Sequence, residues 1–213
     1  MAKVVIMDHP LIQHKIGYIR RIETGTKDFR QTISEIAMLI CYEATRSLPL
    51  ADVQITTPIC DTTVKELKGK KMAIVPILRA GLGMVDGVLN LIPAAKIGHI
   101  GLYRDPETLE PVEYYCKLPA DCADREVFVV DPMLATGGSM ELAYKALLTK
   151  GEPAHIHVAS IIASRQAVEH VKKTFPADKT TIWCAAVDPE LNTHSYIVPG
   201  LGDAGDLCYG EKE

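Results

Sequence analysis

Runs of wholly apolar residues, each followed by a stretch of helical spacing, recur along this chain and limit what it can fold into. Residues 72–78 and 127–130 are such runs, and residues 53–59, 95–103, 155–163 and 182–187 are strand-like too. Between them, residues 84–91, 140–150 and 166–174 have helical periodicity. An earlier helix is predicted from Phe29, Ile33, Ile36, Ala37, Ile40 and Cys41, ending before Leu48-Pro49. Strands with no polar face cannot lie against water, so the pattern predicts an α/β fold with a central parallel sheet flanked by helices. Ligands of such sheets sit beyond the carboxyl ends of the strands. The residues that follow each strand therefore carry the functional information.

The bulk numbers narrow the field. With 213 residues and 47% hydrophobic content, residues 1–213 are expected to form a single domain around one sizeable core. A net charge of -4, with no lysine or arginine block, argues against nucleic acid as a partner. The apolar run at residues 4–7 is broken by Asp8 and is too short for a signal sequence. No uninterrupted apolar stretch reaches the roughly 20 residues of a membrane helix, so a cytoplasmic location is expected. Cys41, Cys60, Cys116, Cys122, Cys184 and Cys208 form no C-x-x-C pair; free thiols in a reducing compartment are the simplest reading.

The strongest motif is Val129-Val130-Asp131-Pro132-Met133-Leu134-Ala135-Thr136-Gly137-Gly138-Ser139. A buried strand delivers an acidic residue, then small and hydroxylated residues, then a helix N-terminus. Gly137 and Gly138 let backbone N–H groups converge, and Thr136 and Ser139 add hydroxyl donors. This combination cradles a phosphate monoester, while Asp131 can bond vicinal ribose hydroxyls. Two other phosphate motifs fail. The Walker pattern lacks its first glycine, because position 64 is Val64. A literal G-x-G-x-x-G occurs at residues 200–205, but too few residues follow to complete a dinucleotide unit.

The segment at residues 131–139 resembles the signature of the type I phosphoribosyltransferases, with Asp131-Pro132 matching their uracil-specific branch. Four further segments, in the same order, are similar to that branch: residues 9–15 (H-P-L-I-Q-H-K), 76–83 (P-I-L-R-A-G-L-G), 103–105 (Y-R-D) and 196–206 (Y-I-V-P-G-L-G-D-A-G-D). The resemblance covers nearly the whole chain. It implies the reaction of uracil with phosphoribosyl pyrophosphate (PRPP) to give UMP and pyrophosphate. PRPP would be held by Arg79, Arg104, Asp131, Pro132, Met133, Leu134, Ala135, Thr136, Gly137, Gly138, Ser139 and Asp203. Of these, Arg79, Arg104, Asp131 and Asp203 would act in catalysis. Arg79 follows a strand and offers a planar fork of donors suited to a diphosphate.

Further expectations follow from the resemblance. Residues 105–118 would be a flap hairpin closing over the substrates. Residues 196–206 would form a small base-binding hood, with Ile197, Gly202, Asp203 and Ala204 contacting uracil. Mg²⁺ would accompany PRPP, with Asp203 on its side. GTP would be a possible effector, and the chain would assemble as a homodimer or larger homo-oligomer. A non-catalytic sensor of PRPP or UMP on the same fold is the alternative. His155 and His157 share a strand face without a spaced third ligand and read as structural; the role of His194 is open. Where the branch commonly carries A-P-E-G, this chain reads Ala163-Ser164-Arg165-Gln166, which bears on loop shape, subunit contacts or regulation.

Overall fold

The computed structural model describes residues 2–105, 108 and 111–211. In chain order, its first half contains β1 (Lys3–Ile6), α1 (Pro10–Ile19), α2 (Thr26–Ala44), β2 (Leu50–Thr56), β3 (Asp61–Leu67), β4 (Ala73–Leu78), α3 (Leu82–Leu91), β5 (Lys96–Ile97) and β6 (His99–Arg104). There follow β7 (Pro111–Lys117), β8 (Glu126–Val130), β9 (Met133–Leu134), α4 (Gly138–Leu148), β10 (His155–Ser164) and α5 (Arg165–Thr174). The last elements are β11 (Thr180–Asp188), β12 (Glu190–Leu191), β13 (Ile197–Val198) and α6 (Ala204–Tyr209).

The main sheet runs β1-β11-β10-β8-β4-β6-β7, with β5 beside β4 and β9 beside β10. Its pairs are parallel except β6 with β7, which is antiparallel. Alternation along the strands divides the core into two faces. Ile74, Phe128, Val130 and Ile161 pack with Ile33, Ile36, Ile40, Met84 and Val88 of α2 and α3. Ala73, Val75, Val127, Val129 and Val158 pack on the other side with Met140, Leu147, Val168 and Val171 of α4 and α5. All six residues that define the predicted helical face of α2 are buried. Each large aliphatic side chain so buried contributes about 1.5–3 kcal/mol.

Several elements escape the apolar pattern. Residues 3–6 form an edge strand against β11, and α1 is started by Pro10 behind a His9 cap. β3 is mostly polar because, among the described residues, it pairs only with β2, in a two-stranded sheet apart from the main one. The stretch at residues 95–103 is not one strand but β5 and β6, divided at Gly98, where a Cβ would lie 2.7 Å from Pro119. Among the described residues no helix is long and apolar enough to cross a membrane.

Candidate active site

Beyond the carboxyl ends of β4 and β8 lies a cavity of about 610 Å³, and its wall includes Arg79, Asp131, Ser139, Gly202, Asp203 and Ala204. Chain segments far apart in sequence thus meet at one sheet edge. β4 ends at Leu78, joined to Arg79 by a cis peptide bond. The chain then doubles back so tightly that a Cβ on Gly81 would sit 2.4 Å from the carbonyl oxygen of Val130. Only glycine fits there, and the turn sends α3 away while Arg79 stays at the edge.

The loop after β8 is held from beneath by β10. The Ser160 hydroxyl donates to the Asp131 carbonyl at 2.7 Å, and the Ser164 hydroxyl donates to the Ala135 carbonyl at 2.5 Å. Ser164 also caps α5 by accepting from the Ala167 N–H at 3.0 Å. This is what the departure at residues 163–166 does: its serine fastens the loop to the neighbouring strand. Between those points β9 pairs with β10. Gly137 then turns into α4 with φ of 92°, and a Cβ there would lie 2.8 Å from the His170 ring. The Asp131 carboxylate accepts from the Met133 N–H at 3.2 Å. Burial pushes this carboxyl up to about 7; the Met133 N–H works against that shift and the charge of Asp203 adds to it.

The third wall is the segment at residues 196–206. β12 and β13 pair antiparallel, and a cis Val198–Pro199 bond follows. Gly200 and Gly202 take φ of 59° and 92°. A Cβ at Gly200 would meet the Ile197 carbonyl oxygen at 2.0 Å. The Asp203 side chain accepts from the Asp206 N–H at 3.0 Å and caps α6. The Arg79 guanidinium reaches over to Asp206, with Nη2 to Oδ1 at 2.7 Å.

Not every anticipated residue faces the cavity. Pro132 is buried, and Leu134 and Ile197 are only 3% exposed, their side chains in the core; what these residues can offer a ligand is backbone. Thr136, Gly137 and Gly138 form the turn into α4, where the Gly138 N–H approaches the Thr136 hydroxyl at 3.5 Å. Arg104 ends β6, and its side chain lies outside the described residues. Of the anticipated flap, residues 106, 107, 109 and 110 lie outside them too. The rest includes β7, which extends the sheet. On this hairpin Tyr103 and Tyr114 line the cavity, their ring centroids 6.4 Å apart. Tyr114 rests on Gly101, where a Cβ would meet its ring at 2.6 Å. His194 also lines the cavity.

Beside His155 and His157 the fold brings in a carboxylate that spacing could not show. His157 lies 2.9 Å from Glu126 of β8 and receives the Trp183 N–H at 3.1 Å. Among the described residues no group of three or more His, Cys, Asp or Glu could hold a metal ion.

A strand-borne aspartate over a glycine turn, an arginine at the next strand end and a glycine-rich third wall are now assembled around one cavity. The model of one family, uracil phosphoribosyltransferase, matches residues 5–211. The chain belongs to that family. It is 65% identical over 212 residues to the uracil phosphoribosyltransferase of Agathobacter rectalis, with both chains fully covered. It is 58% identical to that of Clostridium perfringens, again over the full length of both. A solved protein structure from Aquifex aeolicus superposes with a TM-score of 0.91 at 36% identity, covering 97% of this chain and 98% of that one.

Proposed function

We propose that this chain is a uracil phosphoribosyltransferase of pyrimidine salvage, converting uracil and PRPP to UMP and pyrophosphate. The observation that carries the reading is the convergence of Asp131, Arg79 and the Gly202–Asp203–Ala204 stretch on one cavity. The loop at residues 135–139 offers backbone N–H groups and hydroxyls to the 5′-phosphate. Asp131 faces the ribose hydroxyls, and Arg79, with Arg104, meets the diphosphate. The tail presents peptide groups to uracil's carbonyls and its N3–H. Cytosine, with its exocyclic amine, reverses one donor–acceptor pair, and a mismatch of that kind is strongly rejected.

N1 of uracil forms a bond to C1 of the ribose as the C1–oxygen bond to pyrophosphate breaks, its electron pair leaving with pyrophosphate. The N1 proton passes to solvent or to a pyrophosphate oxygen. The protein's share is positioning and fixed charge: Arg79 stabilises the departing negative charge and Asp131 the electron-poor ribose. The Tyr103–Tyr114 hairpin acts as the flap, excluding water that would compete for C1.

Asp131 and Asp203 fit Mg²⁺ bound with PRPP, since two carboxyl groups share the cavity and the charge of one resists ionisation of the other. Asp203 would hold it, with substrate oxygens completing the set. When bound, the cation supplies charge neutralisation of the diphosphate.

The protein acts in the cytoplasm, where its six free cysteines stay reduced. Homo-oligomer formation is supported by β2 and β3, which pair only with each other; such a hairpin is marginal in water without a covering surface. A response to GTP rests on the resemblance alone. Incubation with PRPP, Mg²⁺ and a panel of nucleobases tests the reading. UMP from uracil alone is expected, and Arg79→Ala or Asp131→Ala should lower its formation by about 100-fold or more in a folded protein. Absence of any nucleotide product would favour a PRPP- or UMP-sensing protein instead.

A further inference from the structure

Asp206 joins two groups that face PRPP in the reading above. Its backbone N–H donates to Asp203 Oδ1 at 3.0 Å, which fixes the carboxylate of the proposed cation ligand. Its side chain accepts from Arg79 Nη2 at 2.7 Å, which fixes the proposed diphosphate cation. Gly205 lies between these contacts. A Cβ there would come within 3.0 Å of Asp203 Oδ1 and 3.6 Å of Arg79 Nη2, so the guanidinium rests over a residue with no side chain. The spacing Asp203-x-x-Asp206 places one acid to cap α6 and the next against the arginine, with Gly205 between them leaving room beside Asp203.

Arginine is long and flexible, and its side chain here is 34% exposed. Left alone it would sample many rotamers, and each binding event would have to order it. Asp206 removes that cost before PRPP arrives. The Gly210 carbonyl adds a weak 3.4 Å contact to the same nitrogen, and the buried Arg79 Nε has no hydrogen-bond partner among the described residues. Among the described residues Asp206 is the one acid paired with Arg79.

We infer that Asp206 is a positioning residue: it holds Arg79 in the orientation that receives the diphosphate of PRPP, and so links the uracil-binding tail to the pyrophosphate end of the site. This rests on the assignment of Arg79 above. The role is distinct from catalysis, because Asp206 acts through the arginine.

The test is steady-state kinetics on Arg79→Ala, Asp206→Ala, Asp206→Asn and the double variant Arg79→Ala/Asp206→Ala, with UMP-induced thermal shifts to follow folding. Loss of a charge-assisted hydrogen bond should raise KM for PRPP by about 10- to 100-fold in Asp206→Ala, with KM for uracil within about twofold. In the Arg79→Ala background the second substitution should change nothing further, because its effect passes through the arginine. Effects that multiply in the double variant, or an unchanged KM for PRPP in Asp206→Ala, overturn the inference. Should Asp206→Ala fail to fold, Asp206→Asn decides. It keeps the volume and one oxygen acceptor but loses the charge, so a rise of about three- to tenfold in KM for PRPP is expected, and no rise at all overturns the inference. A normal KM for PRPP in Arg79→Ala would instead remove the diphosphate role of Arg79 itself.

Discussion

Arg20 and Asp188 are joined by two parallel hydrogen bonds of 2.7 Å, guanidinium fork to carboxylate. The same arginine donates to the Gly200 carbonyl at 2.8 Å, and Asp188 accepts the Gly200 N–H at 2.9 Å. One ion pair, from the C-cap of α1 and the end of β11, therefore holds both the N–H and the carbonyl of Gly200, where the tail turns. Arg20→Ala would leave the Asp188 carboxylate, 7% exposed, without its partner. A loss of about 3 kcal/mol in stability is expected, with KM for uracil rising about tenfold and KM for PRPP much less affected. Denaturant titration and initial rates measure both; equal shifts in the two KM values would show that the pair does not act through the tail.

Asp131 leads to a pH prediction. Burial raises its carboxyl from 3.8 to about 7 in the folded protein. A carboxyl raised on folding favours the folded state while it is protonated in both states. That contribution is whole below the ordinary carboxyl range and is lost as pH climbs through 7. Asp131→Asn, which cannot ionise, should therefore melt higher than the parent at pH 8 and no higher at pH 4, while making little UMP. Calorimetry without substrates at the two pH values checks this, and a gap that fails to widen with pH contradicts it.

His157 sits inside a polar chain within the core. The indole N–H of Trp183 can only donate, so Nδ1 of His157 accepts it and Nε2 carries the proton toward Glu126. The ring also stacks on Phe128 at 4.4 Å. His157→Ala removes packing and strands the indole donor, which should cost about 2–4 kcal/mol in urea unfolding. The KM values and kcat should stay near those of the parent, because this cluster is not part of the cavity wall. A selective loss of activity without loss of stability would reverse that assignment.

Legibility in the sequence followed the strength of the physical pattern. The apolar runs at 72–78 and 127–130 have no polar face and so fit central strands, and the six-residue apolar stripe of α2 fits a buried helix face. The loop at 131–139 was readable because glycines, hydroxyls and an acid rarely coincide without a ligand. Arg20, Asp188 and Asp206 were invisible as partners, since their pairings join residues more than 120 positions apart. Ser160 and Ser164 did leave a trace: two hydroxyls in the apolar second half of a strand must find acceptors when buried, and those acceptors are in the adjacent loop. β3 leaves no apolar run in the sequence, because it lies in a two-stranded sheet outside the core.

The walls of the cavity include residues near 79, 103, 114, 131–139 and 194–205, so no local stretch of chain contains the whole pocket. During refolding, closing such wide loops costs entropy before any of these contacts forms. Backbone order in the sheet can then be regained ahead of ligand affinity, and a half-assembled molecule would carry the right secondary structure while remaining blind to its substrates.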